Sequence, residues 1–414
     1  MTLLARLDRA RDGLAADAAL YGLAAAFALV TALTSTLLPH RAWGAVAVWA
    51  YLGAFLVVAG QLVLRRPRWR MALTFLAWAG TAILPLVLEA VQRAGGRTGR
   101  AQEEVLVVEH MGERLASTGT PYLGPEAIAA LPPGEQLLGY APYQPGMAVF
   151  GLPRAAFGDV WWTDARVWFA VATAAALIVA IRLLPRGASL VRAVQFATVL
   201  PICALTLATG GDDLPVLVLA LLALALCASR RYGAAGLAVG AAAALKLFAL
   251  PIVVVLAVLA LTTGNGRRFL PGALGLPVLT LVPALLVDGN AFVENVIRFP
   301  LGHGLVTSPA QSPFPGYLIT QAVPGGRYVA IGLLVAVALA IAVVLVRRPP
   351  RTAATAALFC GYGLLAAILL MPTTRFGYLL YPLALLVWAP ALGAALSRPT
   401  ASTAPHGDTA LYRL

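Results

Sequence analysis

Two adjacent carboxylates, Glu103 and Glu104, open the segment RAQEEVLVVEHMGERLASTGTPY from Arg100 to Tyr122. A second acidic pair, Asp212 and Asp213, stands in the turn that begins Gly210-Gly211. The chain's one lysine, Lys246, lies inside the apolar stretch AAAALKLFALP, and Arg375 follows in MPTTRFGYLLYP. A carboxylate placed beside a hydroxyl can accept its proton during attack. A cation placed beside a departing phosphate stabilises the charge that grows there. An ionised lysine inside an apolar run is costly and tends to mark a substrate or ion path. The same position also suits a side chain that snorkels to the interface and anchors its helix, and Arg375 has the same two readings. For Glu103 and Glu104 the alternative to chemistry is a solvated connector.

The elements that must hold these residues are apolar helices. Of 414 residues, 60% are hydrophobic and 11% charged, with mean hydropathy +0.85; a soluble domain would carry about 25% charged residues. The chain therefore reads as an all-α polytopic membrane protein. Apolar runs fall near 18–38, 43–64, 71–91, 164–184, 190–209, 214–228, 233–263, 268–287, 326–346, 353–371 and 376–396. Most match the ~20 residues that a bilayer crossing needs. The net charge of +13 does not point to nucleic acid, because the arginines cluster at the ends of these runs, where they act as topology signals. Arg6, Arg9 and Arg11 precede the first run, and Arg65, Arg66, Arg68 and Arg70 follow the second. Further groups are Arg182, Arg186 and Arg192; Arg230 and Arg231; Arg267 and Arg268; and Arg347, Arg348 and Arg351.

All these groups share the cytoplasmic side only if 233–263 enters and leaves on one side. That run is too long for one span and short for two, so it is expected to form a hairpin, about 233–246 and 248–263, with Lys246 near its tip. The result is a bundle of about twelve helices in the cell membrane, with both termini cytoplasmic. The divisions expected are 1–91, three helices; 92–163, an extracytoplasmic loop; and 164–287, helices including the 233–263 hairpin. They continue with 288–325, a second extracytoplasmic loop; 326–396, three helices; and 397–414, a tail of disordered composition. Of the acids, Asp8, Asp12, Asp17 and Asp408 fall inside, and the others fall on the outer side. The N-terminus has charges of both signs and no cleavage site before a short apolar core, so it reads as an uncleaved first span.

Both long loops contain Tyr, Phe, Pro and short apolar stretches, and short helices ordered on the membrane surface are expected in them. In the first, Val105, Val108, Gly112 and Leu115 repeat at helical spacing, while Glu109 and Glu113 share another face. Gly119 and Pro121 stop the pattern. Glu103 and Glu104 fall in the first turn of this helix, where the dipole favours ionised carboxylates. Cys203, Cys227 and Cys360 lie in apolar runs, which argues against a disulfide framework. His40, His110, His303 and His406 are isolated, and no metal-ligand spacing or nucleotide motif is present.

Acids and cations at an outer membrane boundary suit sugar transfer from a lipid-linked phosphate. Adjacent Glu103 and Glu104 are poorly placed to flank opposite faces of one sugar ring, so a single displacement with one base, and hence inversion, is the natural course. EVLVVEHMGERLASTGTPY (104–122) resembles a segment of glycosyltransferase family 87 in which an Asp leads an amphipathic helix ending in a Gly-rich turn and Tyr. YAPYQPGMAVFGLP resembles that family's Tyr-Pro stretch. GGDDLPVLVLALLALALCASRRYGAAGLAVGAAAALKLFALP (210–251) is the nearest match. The resemblance covers about 104–263 and departs in placing Glu104, beside Glu103, where the family has Asp.

The resemblance implies a GT-C-like bundle of integral membrane type. Its donor would be a polyprenyl-phosphate sugar, often mannose, and its acceptor an extracytoplasmic lipid or glycan. Glu104, or else Glu103, would be the base. Lys246 and Arg375 would hold the donor phosphate, and Asp212, Asp213, Tyr122 and Tyr143 would shape the acceptor site. It implies no nucleotide sugar and no organic cofactor, and a divalent cation stays open. A transporter or flippase of lipid-linked intermediates and a scaffold without activity are the competing classes.

Overall fold

The computed structural model describes residues 10–64 and 69–395. Arg6, Asp8, Arg9, Arg65, Arg66 and Arg68 lie outside the described residues, as does the 397–414 tail with His406 and Asp408. Within them the chain is all helical; the only pairing of strand type is an isolated bridge between Gln311 and Thr374.

The first three helices are α1 (Leu14–Thr34), α2 (Leu38–Leu64) and α3 (Arg70–Ala94). A long loop then carries the surface helix α4 (Glu103–Thr118) and the short helices Pro125–Ala130, Gln136–Gly139 and Leu152–Phe157. After it come α5 (Ala165–Leu183), the bent pair α6 (Ala188–Thr198) and α7 (Pro201–Thr209), α8 (Asp213–Ala228) and α9 (Tyr232–Leu245). Helices α10 (Leu250–Thr262) and α11 (Gly266–Phe292) lead to a second long loop with the helix Pro315–Ala322. The chain closes with α12 (Gly326–Arg347), α13 (Ala353–Leu370) and α14 (Leu380–Ala394).

Among the described residues eight helices are long and apolar enough to cross a membrane, or nine if α6 and α7, bent by 41°, form one span. About twelve were expected from the apolar runs. The difference lies in α8, α9 and the helix Leu247–Thr262, which are shorter than a full span. Charge sets their ends: Asp212 and Asp213 stand where α8 begins, and Lys246 divides the 233–263 run, taking extended backbone (φ −152°, ψ 140°) between α9 and the turn Leu247–Ala249. The α6–α7 bend falls at Pro201, which cannot donate a backbone hydrogen bond. The Val199 carbonyl left at that break accepts from the Tyr51 hydroxyl at 2.7 Å.

Small residues let the helices approach closely. A Cβ at Gly236 would lie 2.0 Å from the Phe269 carbonyl oxygen, and one at Gly240 would lie 2.1 Å from that of Gly272. Helices α9 and α11 therefore touch backbone to backbone, as small residues spaced four apart permit.

Successive helices alternate in direction, so the candidate site separates from the arginine groups that follow α5, α8, α10 and α12. The C-terminal ends of α3, α7, α9 and α13 and the N-terminal ends of α5, α8 and α14 gather at one end. Helix α5, at 1.5 Å per residue, puts Asp164 and Arg182 roughly 27 Å apart along its axis. Arg182, Arg186, Arg230, Arg231, Arg267, Arg268, Arg347, Arg348 and Arg351 accordingly occupy the opposite end. There the Thr262 hydroxyl donates to the Pro350 carbonyl at 3.2 Å. Also at that end, buried Asp17 pairs with Arg70 at 2.6 Å and with Arg192 at 2.9 Å, joining α1, α3 and α6.

Candidate active site

The N-terminus of α8 and the C-terminus of α9 lie side by side because the two helices are antiparallel neighbours. The first favours acids and the second a cation, and the sequence supplies Asp212-Asp213 and Lys246. The Lys246 Nζ donates to Asp212 Oδ2 at 2.7 Å and to Asp213 Oδ1 at 2.5 Å, with all three residues buried. The Tyr381 hydroxyl, from α14, donates to the same Asp213 oxygen at 2.7 Å. The Lys246 ammonium also sits 5.3 Å from the ring centroids of both Tyr143 and Tyr378. Phe248 stacks on Tyr381 at 5.4 Å and packs against Tyr378 at 4.7 Å. Burial raises the Asp212 carboxyl above its ordinary range despite the opposing Lys246, and Asp213 adds to the rise. Burial, with Asp212 beside it, pushes the Tyr143 phenol well up.

Glu104 meets Arg375 in an ion pair near this centre, with the arginine side chain 34% and the glutamate 14% exposed. Both sides of the pair are tethered. Gln102 precedes α4 and is bound to the end of α7, its backbone N–H donating to Thr209 O at 2.9 Å and its amide oxygen accepting from the Thr209 hydroxyl at 2.8 Å. The Arg375 segment is zipped to the second loop: the Thr374 N–H donates to Ala310 O, and the Ser312 N–H to Thr374 O, each at 2.9 Å. Tyr378, three residues beyond Arg375, lies over Lys246 and so links the two charged groups. Glu103 points to solvent and makes no ion pair or hydrogen bond among the described residues.

Behind α4 lies a second, deeply buried charge network. Glu109 pairs with Arg93 at 2.6 Å and with Arg154 at 3.2 Å. Asp164 receives Arg93 at 3.0 Å and Arg166 at 2.8 Å, and Arg166 approaches Glu89 at 3.5 Å. Glu109 shares a face of α4 with Glu113, four residues on, yet it is buried, because Arg93 and Arg154 reach it from other parts of the chain. Burial alone would raise the Asp164 carboxyl, but Arg166 and Arg93 outweigh it and hold it down to about 2. Arg166 also donates to Arg100 O at 2.7 Å, clamping the entry to α4. A Cβ at Gly112 would lie 2.2 Å from the Gly151 carbonyl carbon, so α4 is seated directly on the loop backbone.

The Tyr122 hydroxyl is committed to the Tyr143 carbonyl at 2.7 Å, so Tyr122 supports the Tyr143 turn from beneath. The two long loops are knit together by buried Asn295, whose Oδ1 accepts from Ala141 N and whose Nδ2 donates to Leu123 O, each at 2.8 Å. Tyr140 stacks on Phe299 at 4.2 Å, and its hydroxyl donates to Glu294 at 3.0 Å.

Of the eight residues singled out in the sequence, the structure joins Lys246, Asp212, Asp213 and Tyr143 in one centre and supports it with Tyr122. It sets Glu104 with Arg375 and leaves Glu103 alone in solvent. Tyr378, Tyr381 and the Glu109–Arg93–Asp164–Arg166 network were missed. The repeat of aromatics three and six residues after Arg375, pointing along one helix face, was the available signal for the tyrosines. The network's partners carry no local spacing.

Fold and site define a multi-pass, all-helical membrane protein whose polar chemistry is gathered at one end of the bundle. The chain belongs to glycosyltransferase family 87, whose model matches residues 140–372. That match takes in Tyr143, Asp212, Asp213 and Lys246 and stops short of Glu104 and Arg375. The fold is similar to that of ArnT from Cupriavidus metallidurans bound to undecaprenyl phosphate, with 18% identity and a TM-score of 0.45 over 82% of this chain and 61% of that one. The same protein in the apo state is similar at 20% identity and a TM-score of 0.43, over 72% of this chain and 56% of that one. The chain thus spans about three fifths of the length of these solved structures. No curated protein matches it.

Proposed function

We propose that the protein is an integral membrane glycosyltransferase that moves a hexose, with mannose the first choice, from a polyprenyl-phosphate donor to a lipid or glycan acceptor. The site end faces out of the cytoplasm, because the arginine groups occupy the other end and positive charge is retained inside. Both described chain ends lie on the arginine side. The observation that carries the reading is the partly exposed Glu104–Arg375 pair beside a buried acid–lysine–tyrosine centre, in a member of a glycosyltransferase family.

In this reading the acceptor hydroxyl attacks the anomeric carbon and passes its proton to Glu104 as the bond to the phosphate oxygen breaks. The electron pair stays on the polyprenyl phosphate. Arg375 is the exposed cation and meets that charge first. Lys246 has three N–H donors, two of which go to Asp212 and Asp213, so one remains for a phosphate oxygen. A single displacement inverts the anomeric centre. Glu103 is the second choice of base, and its solvent exposure ranks it below Glu104.

Purified protein in liposomes, supplied with radiolabelled polyprenyl-phosphate mannose and membrane lipid extract, should produce a labelled product separable by thin-layer chromatography. Labelled donor that stays intact, or that only changes leaflet, would overturn the reading, the second result in favour of a transporter.

A further inference from the structure

The centre around Lys246 holds more negative than positive charge. From α8 come Asp212 and Asp213, and from the end of α9 comes Lys246. The first loop supplies Tyr143, and Tyr378 and Tyr381 come from the stretch leading into and along α14. The nearest further charges, Arg375 and Glu104, already neutralise each other. Phenols ordinarily ionise near 10, so the tyrosines carry no charge at neutral pH. Two carboxylates thus share one ammonium in a buried site. A phosphate ligand entering beside them brings another negative charge to a place that is already one in excess. Like charges brought together out of water favour protonation of one of the acids.

We propose that this site takes up its phosphate ligand together with one proton, which is bound by Asp212. The inference rests on the donor-binding reading above. Asp212 is the member to protonate because Asp213 is committed: it accepts from both Lys246 and Tyr381 and heads α8. Hydrogen bonds donated to a carboxylate favour its ionised form. Asp212 accepts from Lys246 and lies beside the Tyr143 phenol, and burial already disfavours its charge. Once neutral, Asp212 releases its hold on the ammonium, and Lys246 turns a second N–H toward the phosphate.

The test is isothermal titration calorimetry of the whole protein with methyl farnesyl phosphate, a phosphodiester whose single charge does not titrate. Running each pH between 5 and 9 in two buffers of different ionisation enthalpy reads the protons taken up. The expected result is an uptake rising toward one proton within that range. Affinity should weaken with rising pH by up to tenfold per unit wherever the uptake approaches one proton, as linkage requires. Glu104→Gln should keep the uptake, and Asp212→Asn should abolish it. Wild-type calorimetry needs no variant, so the proposal stands or falls even if Asp212→Asn does not fold. Binding with no proton uptake anywhere in the range, or uptake abolished by Glu104→Gln, overturns the inference and leaves glycosyl transfer intact. Failure of the probe to bind or to compete with the donor overturns both.

Discussion

Asp164→Asn is the sharpest test of how the first long loop is held. The Asp164 carboxylate accepts from Arg166 Nε and Nη2, each at 2.8 Å, from Arg93 Nη1 at 3.0 Å and from the Arg166 backbone at 3.1 Å. Asparagine preserves the shape and the cap on α5 but removes the charge that both guanidiniums face. Lowering the carboxyl from 3.8 to about 2 corresponds to roughly 2.4 kcal/mol at 1.36 kcal/mol per unit. Removing one partner of a buried pair costs ~3–5 kcal/mol, so a loss of about 2–4 kcal/mol is expected. The sign follows from the direction of the shift. A depressed carboxyl stabilises the fold fully above its unfolded value of 3.8, and the contribution is lost as pH falls through about 2. Thermal unfolding in detergent, followed by tryptophan fluorescence, should show Asp164→Asn melting well below wild type at pH 7. The gap should close as pH falls below 4. Equal melting at pH 7, or a gap that persists unchanged at low pH, would refute the assignment of this network.

Glu104→Gln should lower turnover by ~10²–10⁴-fold with donor binding nearly intact, as loss of a general base does, and Glu103→Gln should leave turnover close to wild type. Lys246→Arg keeps the charge but puts a planar fork where a compact ammonium fits between two carboxylates, so steady-state kinetics should show a raised donor KM and reduced kcat. Unchanged kinetics would mean that Lys246 serves only as a charge. Single cysteines at Thr118 and Ser312 should react with an impermeant maleimide in intact cells, against a background of buried Cys203, Cys227 and Cys360. Labelling only after lysis would invert the proposed orientation.

The legible parts of this protein were those written locally. The start of α4 at Glu103 follows from the spacing of Val105, Val108 and Gly112, and the division of the 233–263 run follows from a charge that an apolar helix does not carry unassisted. What stayed hidden depends on distant partners. Glu109 looked like a solvated acid because Arg93, sixteen residues earlier, and Arg154 are brought to it only by the fold. Asp17 looked like a plain cytoplasmic acid, yet it is buried between Arg70 and Arg192. Hydropathy also counts apolar residues without measuring the helix they form, so α8 was expected to span although it is short, whereas the two halves flanking Lys246 were expected as the short helices of a hairpin.

That shortness is tied to the site. A helix that ends inside the apolar layer leaves unsatisfied N–H groups at its start or C=O groups at its end, and out of water these need partners. Helices α8 and α9 end side by side in opposite sense, so the positive end of one dipole lies against the negative end of the other. Acids at the first and a cation at the second ease both ends at once. The same placement leaves a lysine with one spare donor beneath two tyrosine rings. The interrupted helices therefore both require the buried ion cluster and hold its three charged side chains together.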